Sequence, residues 1–196
     1  NNNICFAIFN NVCKNYTAVL DGSGNATITI NNINNGSSVS CGSVILSLDI
    51  TTFDCSDLGD NTVTLTAEDT YGEQDQCTAT VTVSDNQNPS FTLCPGSVSV
   101  SAEAGQCKNS QAITNPTFTD NCSVVKLLWE MTGATTDNSP VTGINYIGTH
   151  DFNVGTTNIQ YTAYDAAGNT SNCSQSIIVS DDEDPVITTC PSDRTL

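Results

Sequence analysis

The amino-acid sequence predicts an all-β protein built from tandem antiparallel β-sandwiches that are stapled by disulfides. Three observations carry this prediction. Apolar residues alternate with period two in segments rich in Thr, Val and Ile, ten cysteines occur among 196 residues, and one block of sequence recurs 96 residues further along. Period-two alternation is typical of half-buried strands, and helical periodicity is hard to find in this chain.

The recurring block defines the domain organisation. Its landmarks keep one offset and are, in pairs, Cys77 and Cys173, Asp85 and Asp181, Pro89 and Pro185, Cys94 and Cys190, Asp69 and Asp165, and Gly72 and Gly168. A constant offset of this length indicates tandem modules, each with its own core. We predict modules over residues 1–87 and 88–184 and the start of a third over 185–196, which would make the chain a piece of a longer array.

The predicted strands follow the alternation. In the first module they cover residues 26–30, 44–50, 62–68 and 77–83. The third of these strands has Val63, Leu65 and Ala67 on one face. Its counterpart over 158–164 turns inward the side chains of Ile159, Tyr161 and Ala163. Turn-forming Gly, Asn and Asp residues connect strands over 21–24, 69–72 and 165–169.

The most hydrophobic stretch of the second module, residues 124–131, contains the only Trp. Alternation places four of its side chains on one face: Val125, Leu127, Trp129 and Met131. We predict that Trp129 fills the core of the second module. The alternative is an exposed platform on which a sugar ring stacks.

The charge balance excludes one class of partner. Four basic residues against 21 acidic ones give a net charge of −17, which repels phosphate backbones and anionic membrane surfaces. We therefore expect no binding to nucleic acid. No apolar run is long enough to span a bilayer, so no direct membrane insertion is expected from these residues.

The cysteines indicate structural disulfides in an oxidising compartment, because the chain has no CxxC pair and only one His for a zinc site. With Cys5 set aside, each module holds four cysteines, which admit three connectivities. We predict nested pairs, because these tie the first strand of each module to its last: Cys13–Cys77 with Cys41–Cys55, and Cys94–Cys173 with Cys107–Cys122. Cys5 remains unplaced, and Cys190 is expected to pair further downstream.

Catalysis finds little support in the sequence. The single His, His150, lies beside Asp151 in a loop without a motif-borne Ser or Cys nucleophile, which favours an ordinary surface imidazole. Carboxylates are plentiful, but none pair in a context that marks a glycosidase acid and base. We predict a protein that is not an enzyme.

Calcium is the cofactor that the sequence suggests. The acidic joints that precede Pro89 and Pro185 concentrate the carboxylate and amide oxygens that this ion prefers. The predicted metal ligands are Asp85 and Asn88 in the first joint, Asp181 and Asp184 in the second, Asp120 and Asn121 in the second module, and Asp69 in a turn of the first. No EF-hand pattern is present, and the alternative is a solvated polar linker.

The second module resembles a known family, the hyalin repeat. The resemblance rests on Cys94-Pro95, on runs 104–107, 119–122, 152–157 and 161–169, and on the closing Cys173. The first module is similar instead, in runs 13–15, 20–27, 35–38 and 53–56, to a companion repeat of very long surface adhesins in gliding bacteria. The resemblance implies immunoglobulin-like sandwiches in a tandem array on the cell surface.

These inferences combine into a functional prediction. We expect a non-catalytic structural repeat of an extracellular cell-surface adhesin, serving as an adhesion or gliding-motility stalk that calcium stiffens. Its expected partners are neighbouring repeats of the same chain, together with surface glycans or other cells. The alternative is a carbohydrate-binding or spacer module of a secreted glycan-degrading enzyme, which would show a row of exposed aromatic side chains.

Overall fold

The computed structural model describes residues 7–185. Cys5, Cys190 and almost all of the predicted third module lie outside the described residues. The regular secondary structure of the described part is almost wholly strand, with one short α-helix and one 3-10 turn, which confirms the predicted all-β class. The chain divides into two compact units. Unit 1 runs to Pro89 and also includes Asp120–Ser123 and Asp165–Asn169, whereas unit 2 comprises Ser90–Thr119, Val124–Tyr164 and the chain from Thr170 onward.

Unit 1 contains eight short or medium strands. They are β1 (Phe9–Asn10), β2 (Tyr16–Val19), β3 (Asn25–Thr27), β4 (Ser38–Val39), β5 (Ile45–Leu48), β6 (Thr52–Asp54), β7 (Gly59–Glu68) and β8 (Gln74–Ser84). A four-stranded sheet has the order β2-β8-β7-β5, in which β2 runs parallel to β8 and the other pairs are antiparallel. Strands β3 and β6 pair separately, as do β1 and β4.

One predicted strand of unit 1 ends early. Residues 26–30 were expected to be extended, but β3 stops at Thr27 and a short helix, α1 (Ile30–Ile33), begins at Ile30. The reason is local: the Asn32 side chain accepts a hydrogen bond from the Thr29 backbone N–H at 2.7 Å. Such a contact closes the first turn of a helix in competition with the strand.

The core of unit 1 lies under β7 and β8. Val63, Leu65 and Ala67 are fully buried on one face of β7, as the alternation predicts. Val81 of β8 and Phe53 of β6 are buried in the same unit. Full burial of a side chain of this size contributes about 1.5–3 kcal/mol relative to its exposed state, so this strip is a main source of stability.

Unit 2 is built on a five-stranded sheet of order β10-β17-β16-β13-β14. Its strands are β9 (Ser90–Leu93), β10 (Val98–Ser101), β11 (Lys108–Ala112), β12 (Thr117–Thr119), β13 (Val124–Gly133), β14 (Asp137–Asn138), β15 (Thr149–Asn153), β16 (Gly155–Asp165) and β17 (Thr170–Ser180). Ile159, Tyr161 and Ala163 of β16 are buried, as predicted. Burial raises the pKa of the Tyr161 hydroxyl to about 12.

Strand β13 departs from regular alternation. Leu127 and Met131 are buried, and Trp129 packs against the core of unit 2, in agreement with its predicted role. Val125 was expected on the same face, but it is 49% exposed, and Val124 packs against the core instead. The inward-facing positions are therefore even-numbered at Val124 and odd-numbered from Leu127 onward. A shift of one residue along a strand reverses the face that each side chain occupies.

The disulfides confirm two of the four predicted pairs. Cys13–Cys77 and Cys94–Cys173 are formed, whereas Cys55 pairs with Cys122. The predictions of Cys41–Cys55 and Cys107–Cys122 were therefore wrong: Cys107 is an exposed free thiol, and Cys41 is disulfide-bonded, but not to Cys55. The error came from pairing within consecutive modules, since Cys122 belongs with Cys55 in unit 1, at a Cα–Cα distance of 5.4 Å.

Candidate metal centre

Three aspartates from distant parts of the sequence converge in unit 1. Asp85 follows β8, Asp120 follows β12, and Asp165 ends β16. One carboxylate oxygen from each lies within 4.8 Å of those of the other two. Within residues 7–185 this is the one group of three or more His, Cys, Asp or Glu side chains with such spacing.

Local turn chemistry orients each carboxylate. Asp85 Oδ1 accepts a hydrogen bond from the Gln87 N–H at 3.0 Å, and Asp120 Oδ2 accepts one from the Cys122 N–H at 3.0 Å. Asp165 Oδ1 accepts two, from Gly168 at 2.6 Å and Asn169 at 2.8 Å. Asp side chains commonly form such bonds to backbone a few residues later, so each segment fixes its own carboxylate.

Two amide side chains each link a carboxylate of the cluster to a backbone carbonyl of another segment. Asn121 Nδ2 donates to Asp85 Oδ1 at 3.1 Å and to the Asp21 carbonyl at 3.2 Å. Asn169 Nδ2 donates to Asp165 Oδ2 at 2.7 Å and to the Asp85 carbonyl at 3.0 Å. Each NH₂ group points toward its two acceptors. Because the amide oxygen lies on the other side of the side-chain carbon, it points away from those acceptors.

Several oxygens of this cluster lack a partner. Asp85 Oδ2, Asp120 Oδ1 and Asn121 Oδ1 are buried atoms without a hydrogen bond. Asp85 as a whole is only 4% exposed, and Asp165 is 3% exposed. Buried polar atoms are nearly always hydrogen-bonded, because an unpaired one loses its solvation without compensation. Three such oxygens on adjoining side chains therefore require an explanation.

No ion pair among residues 7–185 balances the negative charges of the cluster. At an effective dielectric constant near 20, two carboxylates about 5 Å apart repel by roughly 3 kcal/mol. The ion pairs of the described residues join Lys108 to Asp151 and His150 to Asp137, and neither includes a member of the cluster. The Lys126 ammonium lies 3.7 Å from the ring centroid of Tyr164.

The segment that carries Asp120 and Asn121 is fixed by covalent and steric means. The Cys55–Cys122 disulfide ties it to the end of β6. Gly24 lies beside it at φ 74°, and a Cβ atom there would stand 2.7 Å from the Asn121 carbonyl oxygen and 2.6 Å from Cys55 Sγ. Only glycine allows this approach without displacement of the neighbouring groups.

The structure unites some of the predicted ligands and not others. Asp85, Asp120 and Asn121 lie together. Asn88 is exposed, as are Asp181 and Asp184, and Asp181 Oδ1 accepts a hydrogen bond from the Glu183 N–H at 3.2 Å. Among described residues, neither of these aspartates joins a cluster of three.

Asp165 was missed, and Asp69 was chosen in its place. The two residues occupy equivalent places in the repeat, and Asp69 is also buried, but no cluster of the described residues includes it. The 96-residue repeat could have identified Asp165, because it is the counterpart of Asp69 in the second copy.

His150 lies apart from this cluster, in unit 2. Its Nε2 is 3.0 Å from Asp137 Oδ2, and its Nδ1 is 2.9 Å from the Asp151 carbonyl oxygen. The hydrogen bond to His150 lowers the pKa of Asp137. Neither contact is with a hydroxyl or thiol, so the imidazole is not arranged to activate a nucleophile.

Comparison with known proteins gives one family match. The model of the HYR domain matches residues 84–179. A search of curated proteins finds no match. Within the described residues no helix combines the length and apolar character needed to cross a membrane. The HYR match and the disulfides support an extracellular, adhesion-type repeat module, and folds of this kind are typically structural rather than catalytic.

Similar solved structures are distant. Human mucin-like protocadherin EC1-2 is 11% identical with a TM-score of 0.40, over 90% of this chain and 98% of that one. The Sidekick-1 structure of immunoglobulin domains 1–5 is 13% identical with a TM-score of 0.46, over 89% of this chain and 39% of that one. The fibronectin(III)-like modules of Clostridium thermocellum CbhA are 11% identical with a TM-score of 0.35, over 94% of this chain and 100% of that one.

Proposed function

We propose that this chain is a non-catalytic structural repeat segment of a secreted cell-surface adhesin, acting as a stalk for adhesion or gliding motility. The HYR match over residues 84–179 supports a repeat module, and the disulfides support an oxidising, extracellular setting. The resemblance of the first module to repeats of gliding adhesins supports the motility role. Neighbouring repeats of the same chain would be its direct partners, and surface glycans or other cells its targets.

The observation that carries this proposal is the placement of two disulfides. Cys13–Cys77 links the segment before β2 to β8, across a sequence separation of 64 residues. Cys94–Cys173 links the end of β9 to β17, across 79 residues. Because each bridge spans nearly a whole module, a pull on the chain passes through the bridge and leaves the enclosed residues unextended. Such a module limits its own extension under load.

Single-molecule force extension of the oxidised chain tests this mechanical role. We expect no release of the enclosed residues until reductant is added. Reduction should then add about 220 Å of contour for the first loop and about 270 Å for the second, at roughly 3.4 Å per residue. Because the Cys55–Cys122 bridge encloses part of both loops, its cysteines must be replaced as well: the quadruple substitution of Cys55, Cys94, Cys122 and Cys173 by Ser should release the second length alone without reductant. An oxidised wild-type chain that extends through both lengths would contradict the proposal.

A further inference from the structure

We propose that Asp85, Asp120 and Asp165, together with the Oδ1 atom of Asn121, form a calcium-binding site in unit 1. The proposal does not depend on the adhesin role, because it rests on the geometry and burial of these four side chains. It differs from the set that the sequence suggests in adding Asp165 and in leaving out Asn88, Asp69 and the second acidic joint.

The ligand atoms have the spacing that calcium needs. Ca²⁺ takes six to eight oxygen ligands at about 2.3–2.6 Å, so two ligands on opposite sides of one ion are about 4.8 Å apart. The three carboxylate oxygens lie within 4.8 Å of one another and so can contact a common ion. Asn121 Oδ1 adds a neutral ligand of the type that Ca²⁺ accepts.

The unpaired oxygens are the independent sign of a ligand. Asp85 is more than nine-tenths buried, and its Oδ2 has no hydrogen-bond donor, while its Oδ1 has two. Asp120 shows the same division, because its Oδ2 accepts from Cys122 and its Oδ1 has no partner. In each residue one oxygen is used to hold the side chain and the other is left free, which is the division a metal ligand requires.

The positive charge of a calcium ion would balance the negative charge of the cluster. Three carboxylates in a mostly buried place need a counter-charge, and no ion pair of the described residues supplies one. A divalent cation would neutralise most of this charge and satisfy the free oxygens at once.

The mixture of ligands favours Ca²⁺ over Mg²⁺. Mg²⁺ requires near-octahedral geometry at about 2.0–2.1 Å and keeps several of its waters, whereas Ca²⁺ tolerates irregular arrangements of protein oxygens. Here the oxygens come from three separate segments, each already fixed by its own backbone contacts. Contraction to the shorter magnesium distances would have to move all three segments.

The site would act as a cross-link within unit 1. It would join the chain after β8, the segment that Cys122 anchors, and the turn that begins at Asp165. An ion that binds the folded unit and not the unfolded chain raises stability in proportion to the logarithm of its concentration over Kd. We therefore expect calcium to raise the melting temperature and chelator to lower it.

The test uses the oxidised full chain, freed of metal with chelator and desalted. Calorimetric titration with CaCl₂ should show saturable binding, and the melting temperature should rise with Ca²⁺. MgCl₂ should bind at least about tenfold more weakly. Asp85→Asn, Asp120→Asn and Asp165→Asn should each weaken calcium binding by about tenfold or more, because each removes one ligand charge at nearly constant shape.

The matched control is Asp69→Asn. It changes a buried aspartate in the equivalent turn and should leave calcium affinity within about twofold of wild type. Circular dichroism of each variant in chelator verifies its fold, and the wild-type titration stands even where a variant does not fold. The proposal is overturned by a wild-type chain with no calcium-dependent heat or melting shift, by equal affinity for Mg²⁺, or by Asp69→Asn weakening binding as much as the three cluster variants.

Discussion

The turns that begin at Asp69 and Asp165 are built alike but have different surroundings. In both, the aspartate is buried, its Oδ1 accepts a hydrogen bond from the backbone four residues later, and a glycine three residues on has positive φ. Asp165 also lies close to Asp85 and Asp120. Asp69 has no such neighbours among the described residues, and its Oδ2 is buried and unpaired, whereas Asp165 Oδ2 accepts a hydrogen bond from the Asn169 amide.

Because the two turns are alike and only Asp165 has carboxylate neighbours, a turn of this kind offers a single ligand to the proposed cation site. A second difference is the residue at the end of each turn, which is Glu73 in the first and Asn169 in the second. The Asn169 amide bridges Asp165 Oδ2 and the Asp85 carbonyl, and a glutamate cannot donate in this way when ionised. The proposed cation site therefore depends on the turn, its bridging amide and two further segments together.

The largest expected effect comes from removal of the Cys55–Cys122 disulfide. The double change to Ser opens a loop with a separation of 67 residues, which costs about 4 kcal/mol in the chain-entropy model. It also releases the segment with Asp120 and Asn121, so calcium affinity should fall while the Asp69 turn stays intact. Denaturant unfolding and calcium titration measure the two effects.

The control for that change is the double replacement of Cys94 and Cys173 by Ser. It opens a loop of similar size, with a separation of 79 residues, and should reduce stability by a similar amount. Neither cysteine belongs to the segments that carry the cluster, so calcium affinity of the folded chain should be retained. Equal loss of affinity in both double variants would remove the special role of the Cys55–Cys122 bridge.

An intermediate effect is expected from alanine in each turn. Asp69→Ala removes the acceptor of two backbone N–H groups, Tyr71 and Glu73, and should cost about 1–3 kcal/mol with or without calcium. Asp165→Ala should cost less in chelator, because it also relieves repulsion from Asp85 and Asp120. In saturating calcium the order should reverse. Melting curves in both conditions check this, and an unchanged order would show that the turns are energetically equivalent.

The smallest effect concerns acid sensitivity outside both turns. The Lys108 ammonium donates to Asp151 Oδ2 and holds the pKa of that carboxyl below its usual range. A lowered pKa in the folded state contributes stability above the unfolded pKa, near 3.9, which is lost as pH falls through the folded value. Asp151→Asn should therefore lower the melting temperature slightly at pH 7.

Varying the pH tests whether Asp151→Asn acts through loss of this ion pair. Both groups are well exposed, so solvent screens the pair and its contribution is small. The difference in melting temperature between Asp151→Asn and wild type should vanish at strongly acidic pH. A difference that persists there would mean that the asparagine acts through packing rather than through the ion pair.

Local pattern was sufficient for much of the fold. Alternation identified the buried faces of β7 and β16, since a strand with one buried face must place apolar residues at every second position. It failed at Val125, where the strand changes parity, and at Ile30, where a side-chain contact to the backbone starts a helix. The failure at Ile30 arises from a single local contact between Thr29 and Asn32, which a periodic pattern does not show.

The candidate site was only partly predictable for a different reason. Acidic and amide residues marked Asp85, Asp120 and Asn121 as oxygen ligands, and the repeat marked Asp165 through its equivalence with Asp69. The aspartate and glycine are the same in both turns and do not distinguish them, and the Asn169 amide of the second turn reveals its role only where Asp85 comes within reach. Their difference depends on which other segments come within a few ångströms.

The sequence by itself determined the all-β class, the repeat, the inward faces of the long strands and the two disulfides that close each module. These features depend on residue spacing along the chain, which sequence records directly. Only the tertiary structure decided that Cys55 pairs with Cys122 and that Asp165 joins Asp85 and Asp120. Those contacts join residues 45 to 80 apart in sequence, whose approach depends on packing of the whole unit and has no local pattern.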